Sequence, residues 1–128
     1  MLKRDIVLSG EGGKVIFSRS DVETPKAWSE TASLVYAQKY MHPLYENSAR
    51  QTVCRMVEAW QDSARKNGYG LLFGTDEADR IRDYILGQVF APNSPQWFNT
   101  GVELKYGASS TSGEYYHLDF QILTPKRI

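Results

Sequence analysis

One segment, residues 48–67, constrains the fold more than any other because the sequence marks both of its ends. Ser48 and Gln51 stand three residues apart, the spacing of a capping box at a helix start, and Gly68 follows the last turn. Apolar side chains recur between them at intervals of three and four residues: Val53, Met56, Val57, Trp60 and Ala64. We predict an amphipathic helix over 48–67 whose apolar face is buried.

Two further helices are predicted on either side of it. Thr24 and Pro25 are typical of a helix start, with Thr24 as the N-cap and Pro25 in the first turn. This helix runs to about Tyr40, and Pro43 prevents its continuation. Thr75 predicts the start of the third helix, whose apolar face consists of Ile81, Ile85, Leu86, Val89 and Phe90. The two prolines that follow end it.

The ends of the chain show extended rather than helical patterns. Residues 1–20 alternate loosely between apolar and polar side chains around a glycine-rich turn, which favours a hairpin or an extended arm. Near the other end, 102–106 and 115–120 favour short strands around the polar turn 107–113. The predicted fold is therefore mainly α, with short extended segments at both ends. We predict an arm over 1–20 and a helical domain over 21–128.

The charge balance restricts the choice of partners. The 128 residues carry 15 basic and 15 acidic side chains, so the attraction on which non-specific nucleic-acid binding depends is missing. The sequence has no apolar run long enough for a membrane span or a signal peptide. We expect a cytoplasmic protein with one core that binds neither nucleic acid nor a membrane.

Cysteine and histidine are too few for several kinds of chemistry. Cys54 is the single cysteine, and His42 and His117 are the two histidines. An internal disulfide and a closed zinc site are thereby excluded, and we predict no metal site. Cys54 lies within the helix predicted over 48–67, where a buried thiol is the usual outcome. The alternative of a catalytic nucleophile has no histidine nearby in sequence to support it.

The segment 93–101 has the most unusual composition in the chain. It reads NSPQWFNTG and combines amide and hydroxyl side chains with two large aromatic rings. Such a segment can present polar groups to an anion or a ribose while its aromatic rings anchor it in a core. The alternative is a helix-to-strand connection in which Trp97 and Phe98 fill the core and Asn93 is a cap or turn residue.

The run 46–50 carries two opposite charges, Glu46 and Arg50, beside the predicted Ser48 cap. These charges could form an ion pair or hold a partner. The composition of the run favours a helix start that is exposed to water.

Several short motifs occur together in an order that is known from one enzyme family. They are VETP at 22–25, WS at 28–29, TA at 31–32, KY at 39–40, ENS at 46–48, RQ at 50–51, NGY at 67–69, APNSPQWFNTG at 91–101 and GEYY at 113–116. With these motifs the chain resembles the N-terminal part of the adenosylcobalamin-dependent (class II) ribonucleotide reductases, from about residue 20 to 118. The most specific of them is NSPQWFNTG.

The resemblance implies a role in the reduction of ribonucleotides to deoxyribonucleotides, the precursors of DNA. Enzymes of that family use adenosylcobalamin to form a thiyl radical inside a ten-stranded α/β barrel. The resemblance places this chain in the helical region before the barrel, and it places the segment 93–101 at the edge of the substrate pocket. It therefore implies substrate-binding roles for Asn93, Ser94, Pro95, Phe98 and Asn99.

The chain departs from the family in its cysteines. Radical reduction needs one cysteine for the thiyl radical and two more to deliver electrons, whereas Cys54 stands alone here. The barrel and the cobalamin-binding surface are expected beyond residue 128. We therefore expect no catalytic residue in this chain and no cofactor bound to it alone, although the complete enzyme would use adenosylcobalamin.

Two functions remain open. The first is the N-terminal portion or a split subunit of a cobalamin-dependent reductase of ribonucleoside diphosphates or triphosphates, inactive alone. Its partner would be the catalytic barrel chain, or a second copy of itself that covers an exposed apolar face. The alternative is a non-catalytic helical interaction or regulatory module derived from the reductase.

Overall fold

The computed structural model describes residues 1–107. Its elements, in chain order, are β1 (Leu2–Ser9), β2 (Val15–Thr24), α1 (Glu30–Val35), a π-helical turn (Tyr36–Tyr40), α2 (Ala49–Lys66), α3 (Thr75–Leu86), α4 (Ser94–Asn99) and α5 (Val102–Tyr106). The predicted mainly α fold is confirmed. None of these helices is long and apolar enough to cross a membrane.

β1 and β2 pair as an antiparallel hairpin at the start of the chain. Leu2 lies opposite Thr24, and the turn between the strands is Glu11–Gly13. Gly12 in that turn has a φ of 70°, a backbone conformation that glycine adopts without strain. The hairpin extends past residue 20, where we placed the end of the N-terminal arm, and the division into an arm and a helical domain stays a prediction.

The helix predicted to begin at Thr24 begins later. Thr24 ends β2, where its hydroxyl accepts a hydrogen bond from Arg4 Nε at 2.8 Å and lies 3.0 Å from Ser33 Oγ. Ser29 is the N-cap instead, because its Oγ accepts from the Ala32 N–H at 3.0 Å. The predicted start is wrong because strand pairing holds Thr24 in an extended backbone.

α2 is the central helix, and both of its ends agree with the sequence. Ser48 is the N-cap, and Gln51 Oε1 accepts from the Ser48 N–H at 3.1 Å to complete the capping box. α2 contacts β2, α3, α4 and α5. Its fully buried apolar side chains include Val53, Met56 and Val57. Trp60, predicted to be buried with them, is only partly buried against this core.

α3 is shorter than its apolar pattern indicated. Gly74, not Thr75, is its N-cap, and its C-cap is Gly87. The residues that α3 buries are Ala78 and Ile85. Val89 and Phe90, which we placed on the apolar face, lie beyond the helix and are 70% and 42% exposed.

Two short helices form where the sequence offered a helix-to-strand connection and predicted a strand. α4 forms within the segment 93–101, and α5 forms over 102–106. The strand prediction for 102–106 is wrong because Val102 packs as part of a helical turn and is 1% exposed. The second predicted strand, 115–120, and His117 lie outside the described residues.

Candidate functional site

The five residues predicted to bind substrate lie together, on α4 and at its N-cap. Asn93 is the N-cap residue, and both Asn93 and Ser94 are exposed. Pro95 and Asn99 are half-buried, and Phe98 is 9% exposed. α4 therefore presents short polar groups at its N-terminal end, whereas Phe98 belongs to the interior.

An aromatic stack supports α4 from the π-helical turn. The Tyr40 ring stacks on Trp97, with ring centroids 5.2 Å apart, and on Phe98 at 6.4 Å. The Tyr40 hydroxyl lies 2.9 Å from Ser94 Oγ, and Trp97 Nε1 donates to the Pro92 carbonyl at 3.0 Å. The interpretation that Trp97 and Phe98 fill the core is confirmed. The helix-to-strand connection around them is wrong, because helices form on both sides.

A buried ion pair lies beside this segment. Arg55 Nε, on α2, is 2.7 Å from Glu46 Oε2, and both side chains have 0% of their surface exposed. A second contact of 3.2 Å joins Arg55 Nη2 to Glu46 Oε1. The prediction that Glu46 is exposed to water is wrong, because the loop before α2 folds its carboxylate onto the helix. Arg50, the nearer positive charge in sequence, is exposed.

Hydrogen bonds from three other residues surround the Glu46 carboxylate. Oε1 accepts from the His42 N–H at 2.9 Å and from Thr52 Oγ1 at 2.8 Å, and Oε2 accepts from the Tyr106 hydroxyl at 2.7 Å. Burial alone raises the pKa of Glu46, but the hydrogen bond and charge of Arg55, with the hydrogen bonds from the His42 N–H and the Tyr106 hydroxyl, outweigh burial and hold that pKa below its usual 4.5. The carboxylate is therefore ionised at neutral pH.

Tyr106 is the phenol that closes this cluster from α5. Burial first, and then the hydrogen bond to Glu46 and its negative charge, raise the pKa of Tyr106 above its usual value. Its hydroxyl therefore remains a donor at neutral pH. This bond fixes α5 to the same carboxylate that pairs with Arg55.

Arg55 also reaches the end of α4. Its Nη2 donates to the Trp97 carbonyl and its Nη1 to the Thr100 carbonyl, each at 2.8 Å. Carbonyls in the last turn of a helix lack partners within the helix, so a buried cation beside them satisfies both hydrogen bonding and the local dipole. Arg55 thus ties α4 to α2 through the backbone of the segment 93–101.

Gly101 allows the connection between α4 and α5 to approach α2 this closely. Its φ is 82°, and a Cβ at this position would lie 2.6 Å from the Arg55 carbonyl oxygen and 3.2 Å from Ala59 Cβ. Any side chain would push the segment away from the helix. The glycine that ends NSPQWFNTG is thus required by the backbone geometry.

Sequence reasoning missed the residues that hold the segment in place, Arg55 and Tyr40 above all. One signal was available for Arg55. It lies between Val53 and Met56, on the face of α2 that the spacing predicted to be buried, and an arginine is rarely fully buried without a partner. No comparable signal indicated which residue its partner would be.

Cys54 and His42, the two residues considered for chemistry, lie in surroundings that are typical of structural residues. Cys54 is half-buried on α2. His42 is 4% exposed, its Nδ1 accepts from the Leu44 N–H at 3.2 Å, and its ring packs against Tyr45. Within residues 1–107, no group of three or more His, Cys, Asp or Glu side chains could hold a metal ion. The geometry is that of a stacked and hydrogen-bonded support for a polar segment.

Comparison with known proteins supports the family resemblance. Residues 3–44 match a family described as class II vitamin B12-dependent ribonucleotide reductase. A vitamin B12-dependent ribonucleotide reductase of Bradyrhizobium diazoefficiens is 30% identical over 150 aligned residues, which cover 84% of this chain and 12% of that protein. The reductase of Rhodopirellula baltica is 33% identical over 115 residues, covering 80% of this chain and 11% of that protein.

A third similar protein comes from Streptomyces coelicolor. This vitamin B12-dependent ribonucleotide reductase is 31% identical over 111 residues, which cover 78% of this chain and 11% of that protein. The chain therefore spans only 11–12% of the length of these relatives. No solved structure matches it significantly.

Proposed function

Because this chain is homologous to the N-terminal region of the class II vitamin B12-dependent ribonucleotide reductases, we propose that it supplies that region to a reductase that converts ribonucleotides to deoxyribonucleotides. It acts as a portion or a split subunit of that enzyme and is inactive alone. Its partner is the chain that carries the catalytic barrel. The enzyme works in the cytoplasm and provides precursors for DNA synthesis.

The observation that carries this proposal is the way in which the segment 93–101 is held in place. Asn93 and Ser94 are exposed at one end of a short helix, and Arg55 and Tyr40 hold that helix in place through their contacts with Trp97. Short polar groups on a rigid support can orient a nucleotide without taking part in its chemistry. We assign substrate contact to the exposed polar groups and to Asn99. In this proposal, Pro95 and Phe98 support the segment and contact only the edge of the substrate.

The cofactor of such a reductase is adenosylcobalamin, which supplies the radical. The described residues do not fit this group. His42 is buried and its Nδ1 already accepts a hydrogen bond, so it is poorly placed to be a ligand of cobalt. Cys54 is half-buried within α2. Among residues 1–107, its thiol makes no hydrogen bond to the residues that support the segment 93–101. We therefore assign cobalamin binding to the catalytic chain.

The proposal is tested by reconstitution. The chain that carries the barrel is assayed for cobalamin-dependent ribonucleotide reduction with and without this polypeptide. We expect activity that depends on mixing the two chains. If a folded barrel chain is equally active without it, or inactive with it, the split-subunit function is wrong, and the alternative of a non-catalytic regulatory module gains support.

The assignment of the segment is tested by Asn99→Ala in the reconstituted enzyme. We expect a raised KM for the ribonucleotide with an unchanged melting temperature, because Asn99 is not part of the buried core and its amide makes no hydrogen bond among residues 1–107. Asn67→Ala is the matched control, since Asn67 is exposed and, among residues 1–107, its side chain bonds only to the Ser63 carbonyl in the last turn of α2. Equal kinetics for the two variants would remove the site assignment.

A further inference from the structure

Arg55 is the residue that joins the polar cluster to the proposed substrate segment. Its guanidinium contacts the Glu46 carboxylate on one side and the carbonyls of Trp97 and Thr100 on the other. We propose that Arg55 is a positioning residue for the segment 93–101 and that Glu46 sets the orientation of its guanidinium. This inference rests on the proposed function, because it assigns a role within the same site.

The chemistry of the pair explains why an arginine is needed. A guanidinium is planar, and its N–H groups point in fixed directions. Once Nε and Nη2 are bonded to the two oxygens of Glu46, the plane of the group is set, and so are the directions of the N–H groups that remain. Those groups meet Trp97 and Thr100 at 2.8 Å each. The carboxylate therefore determines where the end of α4 lies.

α4 is short enough for this fixation to matter along its whole length. It has six residues, so a shift at its last turn moves Asn99 directly and carries Ser94 with it. Tyr40 holds the other end through its hydroxyl, 2.9 Å from Ser94 Oγ. Gly101 leaves no room for movement toward α2. Tyr40 and Arg55 thus both hold the segment by hydrogen bonds, and of the two Arg55 provides the hydrogen bonds nearer Asn99.

Arg55→Lys separates positioning from charge. A lysine keeps the positive charge beside Glu46, but its single ammonium cannot bond the carboxylate and both carbonyls in the same directions. Arg50→Lys is the matched control, because it makes the same change on the same helix at an exposed position. Both variants are prepared in the 128-residue chain.

Two readouts test the inference. Amide hydrogen exchange of residues 94–101 is measured in the chain, and KM and kcat for the ribonucleotide are measured after reconstitution with the catalytic chain. For Arg55→Lys we expect exchange in 94–101 to rise about tenfold while the centre of α2 keeps its protection, and KM to rise about tenfold with a smaller change in kcat. Arg50→Lys should match the wild type in both.

Glu46→Gln provides a second variant if Arg55→Lys does not fold. It keeps the size of the side chain and an oxygen acceptor, but it loses the charge that aligns the guanidinium. We expect the same changes in exchange and KM, in the same direction. Wild-type exchange and KM in whichever variant folds would overturn the inference. A lowered melting temperature with an unchanged KM would also overturn it, because that result indicates a structural role only.

Failure of this inference is distinguishable from failure of the proposed function. If Asn99→Ala is impaired and Arg55→Lys is not, the segment binds substrate but Arg55 does not position it. If the wild-type chain gives no activity with the catalytic chain, both the proposed function and this inference are withdrawn.

Discussion

α2 meets α3 and the pair of helices α4 and α5 by different physical means. α3 contributes apolar side chains to the common core, including Ala78 and Ile85. The unit formed by α4 and α5 also contributes Trp97 to that core, but its contact with α2 includes in addition the hydrogen bonds of Arg55 and the close approach of Gly101. Apolar contact is non-directional and scales with buried area, whereas the second contact depends on the directions of a few N–H groups.

The difference determines how well each contact tolerates substitution of its side chains. An apolar surface accepts changes of shape at moderate cost, because neighbouring side chains repack. A buried ion pair accepts few changes, because removal of one partner leaves the other charged and without compensation. We therefore expect substitutions at the contact of α2 with α4 and α5 to lower the free energy of unfolding more than substitutions on the apolar side of α2.

Arg55→Met should have the largest effect. It leaves the Glu46 carboxylate buried without its partner and removes the donors to Trp97 and Thr100, so we expect a loss of about 3–5 kcal/mol in the free energy of unfolding. Denaturant titration measures it. Arg50→Met, an exposed substitution on the same helix, should change it by no more than about 0.5 kcal/mol. A similar small loss for both would show that the pair does not hold the contact together.

Gly101→Ala should be next. The left-handed φ of 82° and the 2.6 Å approach to the Arg55 carbonyl oxygen together predict a loss of about 2–4 kcal/mol. Gly107→Ala separates the two causes, because Gly107 has a φ of 66° but no atom of residues 1–107 within 4 Å of a Cβ, so it should lose only about 1–2 kcal/mol. Equal losses by thermal or denaturant unfolding would mean that the close approach is unimportant.

Trp60→Ala tests the apolar side of α2. Complete burial would predict a loss of about 3–5 kcal/mol, but Trp60 is only partly buried against the core, so we expect about 1–3 kcal/mol. The same denaturant titration applies. A loss as large as that of Arg55→Met would remove the distinction between the two contacts.

Acid should weaken the polar contact more gradually. The pKa of Glu46 is lowered from its usual 4.5 in the folded chain, so the stability that it contributes is complete above that value and is lost as the pH falls through the lowered pKa. We expect a smaller effect than Arg55→Met gives, because a protonated carboxyl still forms hydrogen bonds. Stability is measured between neutral pH and pH values below 4.5.

Glu46→Gln is the variant that assigns this acid dependence. It should flatten the decline of stability with falling pH, because the titrating group is gone. Glu58→Gln removes a carboxylate that is bonded to Lys105 at the surface, and it should leave most of the decline in place. An acid dependence that survives Glu46→Gln unchanged would assign it to other carboxyl groups.

The sequence predicted well where neighbours in the chain decide the structure. The capping box of Ser48 and Gln51 and the spacing of Val53, Met56 and Val57 depend on local geometry, and α2 has the predicted ends. Local reasoning was wrong at Thr24, because a strand partner fixes its backbone there. It was also wrong for 102–106, because this segment forms a helix in contact with α2 rather than a strand.

The candidate site divides in the same way. The motif NSPQWFNTG was visible as a segment of unusual composition, and the interior positions of Trp97 and Phe98 were among the alternatives. Its support was not visible, because Arg55 meets Thr100 across 45 positions of sequence and Tyr106 meets Glu46 across 60. No periodicity relates residues that far apart.

By itself, then, the sequence determined the central helix, the mainly α fold and the family to which the chain is homologous. These depend on local spacing and on short motifs, which a linear chain displays directly. Only the tertiary structure decided that Glu46 is buried, that Arg55 is its partner and that this pair holds the end of α4. The physical reason is that a buried charge is stable only beside specific groups, and folding alone brings those groups together.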